Sequence, residues 1–301
     1  MNSQTLTAKD WFIATRPWSF VVTALPTLFT VLFVLVEYPA AANRWPLGLL
    51  AVFGSVFFQA GGNLISDYYD FKNGIDRPGH VVGSDNMTSG RFTPKQISVF
   101  GRIITTIGVI IGLFLVTQSG LPLLWIGLAG TLGSVYYRKF KAIAMGDLLI
   151  FFIYGPIIMM GTYYTMTQQF SGALLFISVH FAFITVNVLH ANNLRDIDND
   201  TNAGIKTFAS ILGVKKSIVY YNLLTYLSYV VIVISVLLQQ LPIWSLIALA
   251  TLPIAIKNTK LVDQTTETDK SSIKDLDKMT ANLQLFVSAA LILSMILAMI
   301  F

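Results

Sequence analysis

Residues 47–76 read LGLLAVFGSVFFQAGGNLISDYYDFKNGID, an apolar run that ends abruptly in acids. No charged side chain occurs from Leu47 to Ser66, and then Asp67, Asp70 and Asp76 follow within ten positions. A helix needs roughly 20 apolar residues to cross about 30 Å of hydrocarbon, so this run is long enough to span a bilayer. Its acids then fall where the helix emerges into water.

The same signature recurs along the chain. Nine apolar stretches qualify, at about 18–36, 47–65, 97–117, 121–137, 146–166, 172–192, 216–238, 241–257 and 281–301, the fourth and eighth being short. The segment 7–16, with Trp11, Phe12 and Ile13 between Lys9 and Arg16, reads as a short interfacial helix leading into the first span. Composition agrees. Of 301 residues 54% are hydrophobic and 12% charged, and the mean hydropathy is +0.67. A soluble domain carries about 25% charged residues, twice as many. The fold class is therefore all-α, a polytopic membrane protein of about nine transmembrane helices around a central cavity with cytoplasmic cap loops, and one membrane domain over 1–301.

Charge fixes an orientation. The connections 37–46, 118–120, 167–171 and 239–240 fall on one face together with the C-terminus, and hold one basic residue, Arg44, and one acid, Glu37. The other 19 of 20 Lys and Arg lie towards the opposite face, which the positive-inside rule makes cytoplasmic. The expectation is a multi-pass protein of the plasma membrane, N-terminus inside and C-terminus outside. Fourteen of 15 acids share the basic face, and the long loops 66–96 and 193–215 both open with acids. With no cysteine, thiolate nucleophiles, disulfides and Cys-based metal sites are excluded. His80, His180 and His190 show no metal-ligand spacing.

At about 100° per residue, Asn63, Asp67 and Asp70 share one narrow helix face. Asn192, Asp196 and Asp200, in NNLRDIDNDTNAGIK (192–206), likewise fall on one side, with Asp198 pointing elsewhere. Asp70-xxx-Gly74-Ile75 and Asp200-xxx-Gly204-Ile205 match as a weak internal repeat. Two acid-tipped helix ends on one side of a membrane are suited to Mg²⁺, which takes one or two carboxylates together with substrate phosphate oxygens. Such ions would neutralise the charge that develops on a leaving diphosphate. The plainer alternative is that these acids cap helices and solvate the rim.

These segments resemble the paired Asp-rich motifs of the UbiA superfamily of intramembrane aromatic prenyltransferases. The resemblance covers nearly the whole chain and includes Arg16-Pro17 and the pattern Tyr137…Lys141…Gly146-Asp147. NLISDYYDFKNGID and NNLRDIDNDTNAGIKTFA are most similar to the 1,4-dihydroxy-2-naphthoate polyprenyltransferase branch. The chain departs from the pattern at Ser66, where members often carry Asn, and at Gly74, where they often carry Asp. The resemblance implies Asp67, Asp70, Asp196 and Asp200 as metal ligands, and Asp70, Asp196, Asp200 and Lys141 as catalytic. It implies Asn63, Ser66, Asn192, Tyr137, Arg138, Lys139 and Lys206 as substrate-binding. Arg77 is a weaker diphosphate candidate, and Asp76 a possible addition to the metal set. Gln59, Asn187 and His190, polar groups inside spans, are functional candidates or packing groups.

The expected reaction is Mg²⁺-dependent transfer of a polyprenyl group from its diphosphate to 1,4-dihydroxy-2-naphthoate, with loss of CO₂, as in menaquinone biosynthesis. The expected partners are a polyprenyl diphosphate, an aromatic acceptor and the lipid bilayer, and not nucleic acid. Alternative acceptors are 4-hydroxybenzoate, homogentisate, a haem or a chlorophyllide. An ion-coupled transporter would place its acids near the bilayer midplane instead of at span ends. A CDP-alcohol phosphotransferase would need more Asp on adjacent turns.

Overall fold

A computed structural model describes residues 6–74, 85–202 and 204–301, less the side chains of Arg138 and Ala142. Asp76, Arg77 and His80 lie outside the described residues, as does the side chain of Arg138. Every regular element among the described residues is helical.

The chain enters through α1 (Ala8–Ala14), opened by a Thr7/Asp10 capping box. This is the short helix expected at 7–16. Arg16 follows in the left-handed region (φ 58°), and Pro17 starts a 3₁₀ turn into α2 (Val21–Glu37). Next come α3 (Trp45–Lys72), the single turn α4 (Asp85–Thr88), α5 (Pro94–Ser119) and α6 (Leu121–Ala142). α7 (Gly146–Phe152) and α8 (Ile158–Thr167) make one span, joined by a π-helical turn at Ile153–Ile157 that contains Pro156. Proline offers no N–H to the helical ladder, and the wider turn absorbs the break. α9 (Gly172–Arg195), α10 (Ile197–Asn202), α11 (Phe208–Leu237), a 3₁₀ stretch continuing into α12 (Leu252–Asp263), and α13 (Leu276–Ile300) complete the chain. α11 kinks at Gly213 (φ 72°), so its straight part begins near the expected start of the seventh span at 216.

Among the described residues eight helical stretches are long and apolar enough to cross a membrane, not the nine expected. The ninth candidate, Leu121–Tyr137, is the short fourth stretch, and its apolar part falls below the length of the others. The whole of α6, at 22 residues, nevertheless measures about 33 Å at 1.5 Å per residue. It starts beside Ser119 and ends with Lys141 in the field of Asp200, so it runs from one face of the bundle to the other.

One arginine gathers the sparsely charged face. Arg44 donates to the Gln118 carbonyl (2.8 Å), the Ser119 hydroxyl (3.1 Å) and the Thr165 carbonyl (3.1 Å). Gln168 also donates to the Gln118 carbonyl (3.2 Å). The hairpins near 44, 118 and 168 therefore lie together, and Trp244 meets Phe301 with ring centres 5.8 Å apart. Cysteines introduced singly at 118–120, 167–171 and 239–240 are expected to label from the same side of the membrane. Labelling of any one from the other side would break this topology, and the cysteine-free chain makes the experiment direct.

The core is formed by α2, α8, α9, α11 and α13, with Phe29, Phe33, Phe181 and Tyr163 in mutual ring contact. Hydroxyls and amides link helices within it: Gln284 donates to Thr185 (2.7 Å), Asn187 to Thr225 (2.7 Å), and Tyr221 bonds Thr280 (2.7 Å). Such polar bonds hold helices together where lipid offers no hydrophobic drive between them. Asn187 is thus a packing group. α3 and α5 touch through small residues. A Cβ on Gly61 would stand 2.7 Å from the Thr105 backbone nitrogen, so this glycine lets α5 brace the acid-bearing helix. Outward, Ile110, Leu113, Trp125, Leu132 and Val135 are exposed, an apolar belt that only lipid covers at no cost.

Candidate functional site: two acid-tipped helix ends and a half-buried tyrosine–lysine turn

α3 and α9 both start at the Arg44 face, and both deliver their acids to the opposite one. Each acidic segment ends the same way. Gly74 (φ 69°) and Gly204 (φ 70°) take the left-handed conformation, and the Ile205 amide donates back to the Asp200 carbonyl (2.8 Å). Glycine is favoured there because a Cβ would clash. The Asp-xxx-Gly repeat is therefore a repeated helix stop, which holds an acid on the last turn of each helix.

The first end is tied to the N-terminal segment. Asp67 is fully buried, accepting from Arg16 (2.5 Å) at Oδ1 and from Asn86 (2.9 Å) at Oδ2. Asn63 donates to the Thr15 carbonyl (3.0 Å) and the Ser19 hydroxyl (2.9 Å). Gln59 also reaches Ser19, donating to its carbonyl at 2.8 Å. The left-handed Arg16 aims its guanidinium at Asp67 while Pro17 turns the chain into α2. Asp70 is half-buried one turn further on and accepts from Ser66 at 3.3 Å.

The second end is built round Arg195. Its guanidinium donates to Asp196 through two nitrogens (2.9 and 2.8 Å) and to the Asn192 side-chain oxygen (2.6 Å), and pairs with Asp277 of α13 (2.8 Å). Arg195 is therefore committed to these three partners and not available to draw in an anionic acceptor. Asp200 is half-buried on α10. Burial pushes its carboxyl above the usual range, with the Asp196 charge adding to the effect and Lys141 opposing it. Asp198 points away and pairs with Lys270 (2.6 Å), as its angular position implied.

The end of α6 closes on this second acid. Lys141 and Tyr137 both stand within electrostatic reach of Asp200. Gly146, at the start of α7, packs against both of them, with room for a Cβ 3.7 Å from the Tyr137 ring and 3.8 Å from Lys141 Cβ. Lys139 is exposed, with its ammonium 4.9 Å from the Tyr136 ring centre. Lys206 is exposed just past Gly204. An open apolar crevice of about 350 Å³, between Trp11 and the start of α5, lies apart from these groups.

Sequence reasoning missed Arg16 as a side-chain partner, along with Asn86 and Asp277. Asn86 sits 19 positions from Asp67 and Asp277 sits 82 positions from Arg195, and no local period points to them. Asp147 entered only as a spacing mark, yet it is buried and faces His190.

The chain was compared with known families, sequences and structures. A profile of the UbiA prenyltransferase family matches residues 24–299. "UbiA prenyltransferase domain-containing protein 1" of Homo sapiens is 30% identical over 300 residues, covering 96% of this chain and 84% of that protein. Its Drosophila melanogaster homolog is 30% identical over 260 residues, covering 84% and 71%. Among solved structures, the apo UbiA homolog from Aeropyrum pernix K1 superposes with a TM-score of 0.69 at 15% identity, covering 92% of this chain and 98% of that one. A UbiA homolog from Archaeoglobus fulgidus bound to DMAPP and Mg²⁺ gives 0.61 at 14% identity, covering 94% and 99%.

Proposed function

The chain belongs to the UbiA prenyltransferase family, and on that premise we propose that it transfers a polyprenyl group from a prenyl diphosphate to 1,4-dihydroxy-2-naphthoate, releasing CO₂. The observation that carries the reading is the electrostatic meeting of acid and base at one face: Asp200 on the stopped end of α10 lies within the field of Lys141 and Tyr137 from the end of α6. Acids alone would fit a solvated rim. A lysine and a tyrosine turned in among half-buried acids fit a site for an anion that carries its own cations.

The donor set suits Mg²⁺. Asp70 and Asp200 offer half-buried carboxylate oxygens, Asp67 and Asp196 stand one turn earlier, and no sulfur is present. When bound, Mg²⁺ supplies charge neutralisation on the diphosphate oxygens. The Archaeoglobus fulgidus homolog, solved with DMAPP and Mg²⁺, supports a prenyl diphosphate and Mg²⁺ here. Lys141 and the Tyr137 hydroxyl bind the leaving diphosphate and stabilise its growing charge, which helps the allylic C–O bond break. Arg195 and Arg16 hold Asp196 and Asp67 in fixed positions. Asn63, Ser66 and Asn192 on the two acid-bearing helices, with Arg138, Lys139 and Lys206, serve substrate binding. The apolar spans keep water from the allylic cation until a ring carbon attacks it. The resemblance of residues 63–76 and 192–209 to the naphthoate branch supports this acceptor. We place this single domain in the plasma membrane, with the acid-bearing face and the N-terminus cytoplasmic.

Purified protein with Mg²⁺ and a prenyl diphosphate is expected to release CO₂ and form prenylated naphthoquinol from 1,4-dihydroxy-2-naphthoate. At least ten times less product is expected from 4-hydroxybenzoate or homogentisate, since a site built to hydrogen-bond one ring pattern rejects others by about that factor or more. Efficient prenylation of 4-hydroxybenzoate without CO₂ would overturn the acceptor and leave the transferase.

A further inference from the structure

His190 on α9 is fully buried, and its Nε2 lies 3.2 Å from the Ser217 carbonyl oxygen. A carbonyl only accepts, so Nε2 carries the proton and donates it. In the neutral ring Nδ1 then presents a lone pair. That atom lies 3.5 Å from Oδ2 of Asp147, which is itself only 5% exposed. Among the described residues neither Nδ1 nor Oδ2 has a hydrogen-bond partner. Two buried acceptors facing each other repel, and an unmet buried polar group costs about 1–3 kcal/mol. The arrangement is satisfied in one of two ways. A proton can be shared between the two groups, or a donor can be supplied to both.

The position of the pair indicates the donor. Asp147 directly follows Gly146, which packs against Tyr137 and Lys141 at the end of α6. Tyr137 feels the charges of both Asp147 and Asp200, so the pair and the diphosphate end flank one tyrosine. The edge of the His190 ring meets Tyr220 at 4.7 Å, and Tyr220 also lies in the field of Asp147. A hydroxylated ring here would thus have an aromatic neighbour in Tyr220 and a buried proton acceptor, beside the tyrosine that also feels Asp200. Placement at the start of α7 would favour the Asp147 charge through the helix dipole, but it does not explain a histidine lone pair aimed at it.

We propose that Asp147 and His190 form the site that takes the ring hydroxyl of the aromatic acceptor and receives its proton. This rests on the reading above that a hydroxylated ring is prenylated. As the hydroxyl O–H breaks, its proton passes to Nδ1 of His190 and Asp147 stabilises the imidazolium. The ring carbon bonds the allylic carbon, and the electron pair of the allylic C–O bond leaves on the diphosphate. The ring oxygen becomes a carbonyl. With the naphthoate, the carboxylate C–C bond then breaks to release CO₂, its electrons restore the ring, and the oxygen recovers the proton from His190.

Two measurements test this together. The chain has three histidines, so ¹⁵N-histidine labelling of the full protein in lipid nanodiscs resolves His190, with His190→Gln giving the assignment. Adding reduced 1,4-dihydroxy-2-naphthoate is expected to shift the His190 Nδ1 resonance towards its protonated position in the wild type and not in Asp147→Asn. In kinetics, Asp147→Asn and His190→Gln are expected to lower kcat by about 10²-fold or more, the usual contribution of a positioned base, and to raise KM for the acceptor. The Kd of the prenyl diphosphate should stay unchanged, and Asp147→Glu should recover part of the rate. A naphthoate that is prenylated without moving the His190 resonance overturns the site and leaves the transferase. One that moves the resonance without being prenylated overturns the acceptor reading and leaves the site. Equal loss of both substrates in the variants assigns the pair a structural role only.

Discussion

Asp70→Asn and Asp200→Asn are each expected to lower turnover by on the order of 10²–10³-fold, with little change in insertion or thermal stability. Both carboxylates sit on the last turn before a left-handed glycine, half-buried, where a lost charge is poorly replaced by water. The amide keeps the shape and one oxygen, so the loss reports charge and not packing. Asp198→Asn supplies the control. Its side chain is 72% exposed and pairs with Lys270, a contact worth roughly 0–1 kcal/mol at most, and its rate should stay close to wild type. Purified variants assayed at saturating Mg²⁺ decide the matter. Small and equal losses at all three positions would return these acids to the role of a solvated rim.

Arg195→Gln is expected to have the largest effect on stability. The guanidinium is 20% exposed and holds Asp196 (11% exposed) and Asp277 (23% exposed), so its removal leaves two half-buried carboxylates and an amide without their cation. Breaking a buried ion pair costs about 3–5 kcal/mol, and partial exposure here brings the expected cost nearer 2–3 kcal/mol. Lysine at 195 keeps the charge but cannot bridge three groups, so Arg195→Lys should fall between wild type and Arg195→Gln. The measurement is the thermal midpoint in detergent alongside turnover. Raised Mg²⁺ should recover part of the midpoint in Arg195→Gln if Asp196 then takes a cation. A variant as stable as wild type would show that α13 is not held to the acid segment through this residue.

Apolar spans, helix positions and the shared ends of the acid-bearing segments were legible without coordinates. Apolar runs of about 20 residues, bare hairpins on one side and acids at 67–70 and 196–200 follow from local chemistry that a window on the chain can read. The matching Asp-xxx-Gly stops were visible as a repeat, and the left-handed glycines give that repeat its physical meaning. The short fourth stretch was flagged by length alone, and it is the one that falls below the length of a full span.

What acts between distant segments was not legible. Asp67 looked as available as Asp70, but Arg16 and Asn86, 51 and 19 positions away, occupy its oxygens. Nothing near Arg195 in sequence points to Asp277, 82 positions on, which helps fix it. Asp147 and His190 stand 43 positions apart on different helices, and nothing periodic connects them. The sequence by itself determined that the protein lies in a membrane, where its helices run and which face carries the acids, because hydrophobicity and turn chemistry act over a few residues. Only the tertiary structure decided which acids are already paired and which polar atoms face one another unmet, because burial and pairing depend on helices that meet in space and not along the chain.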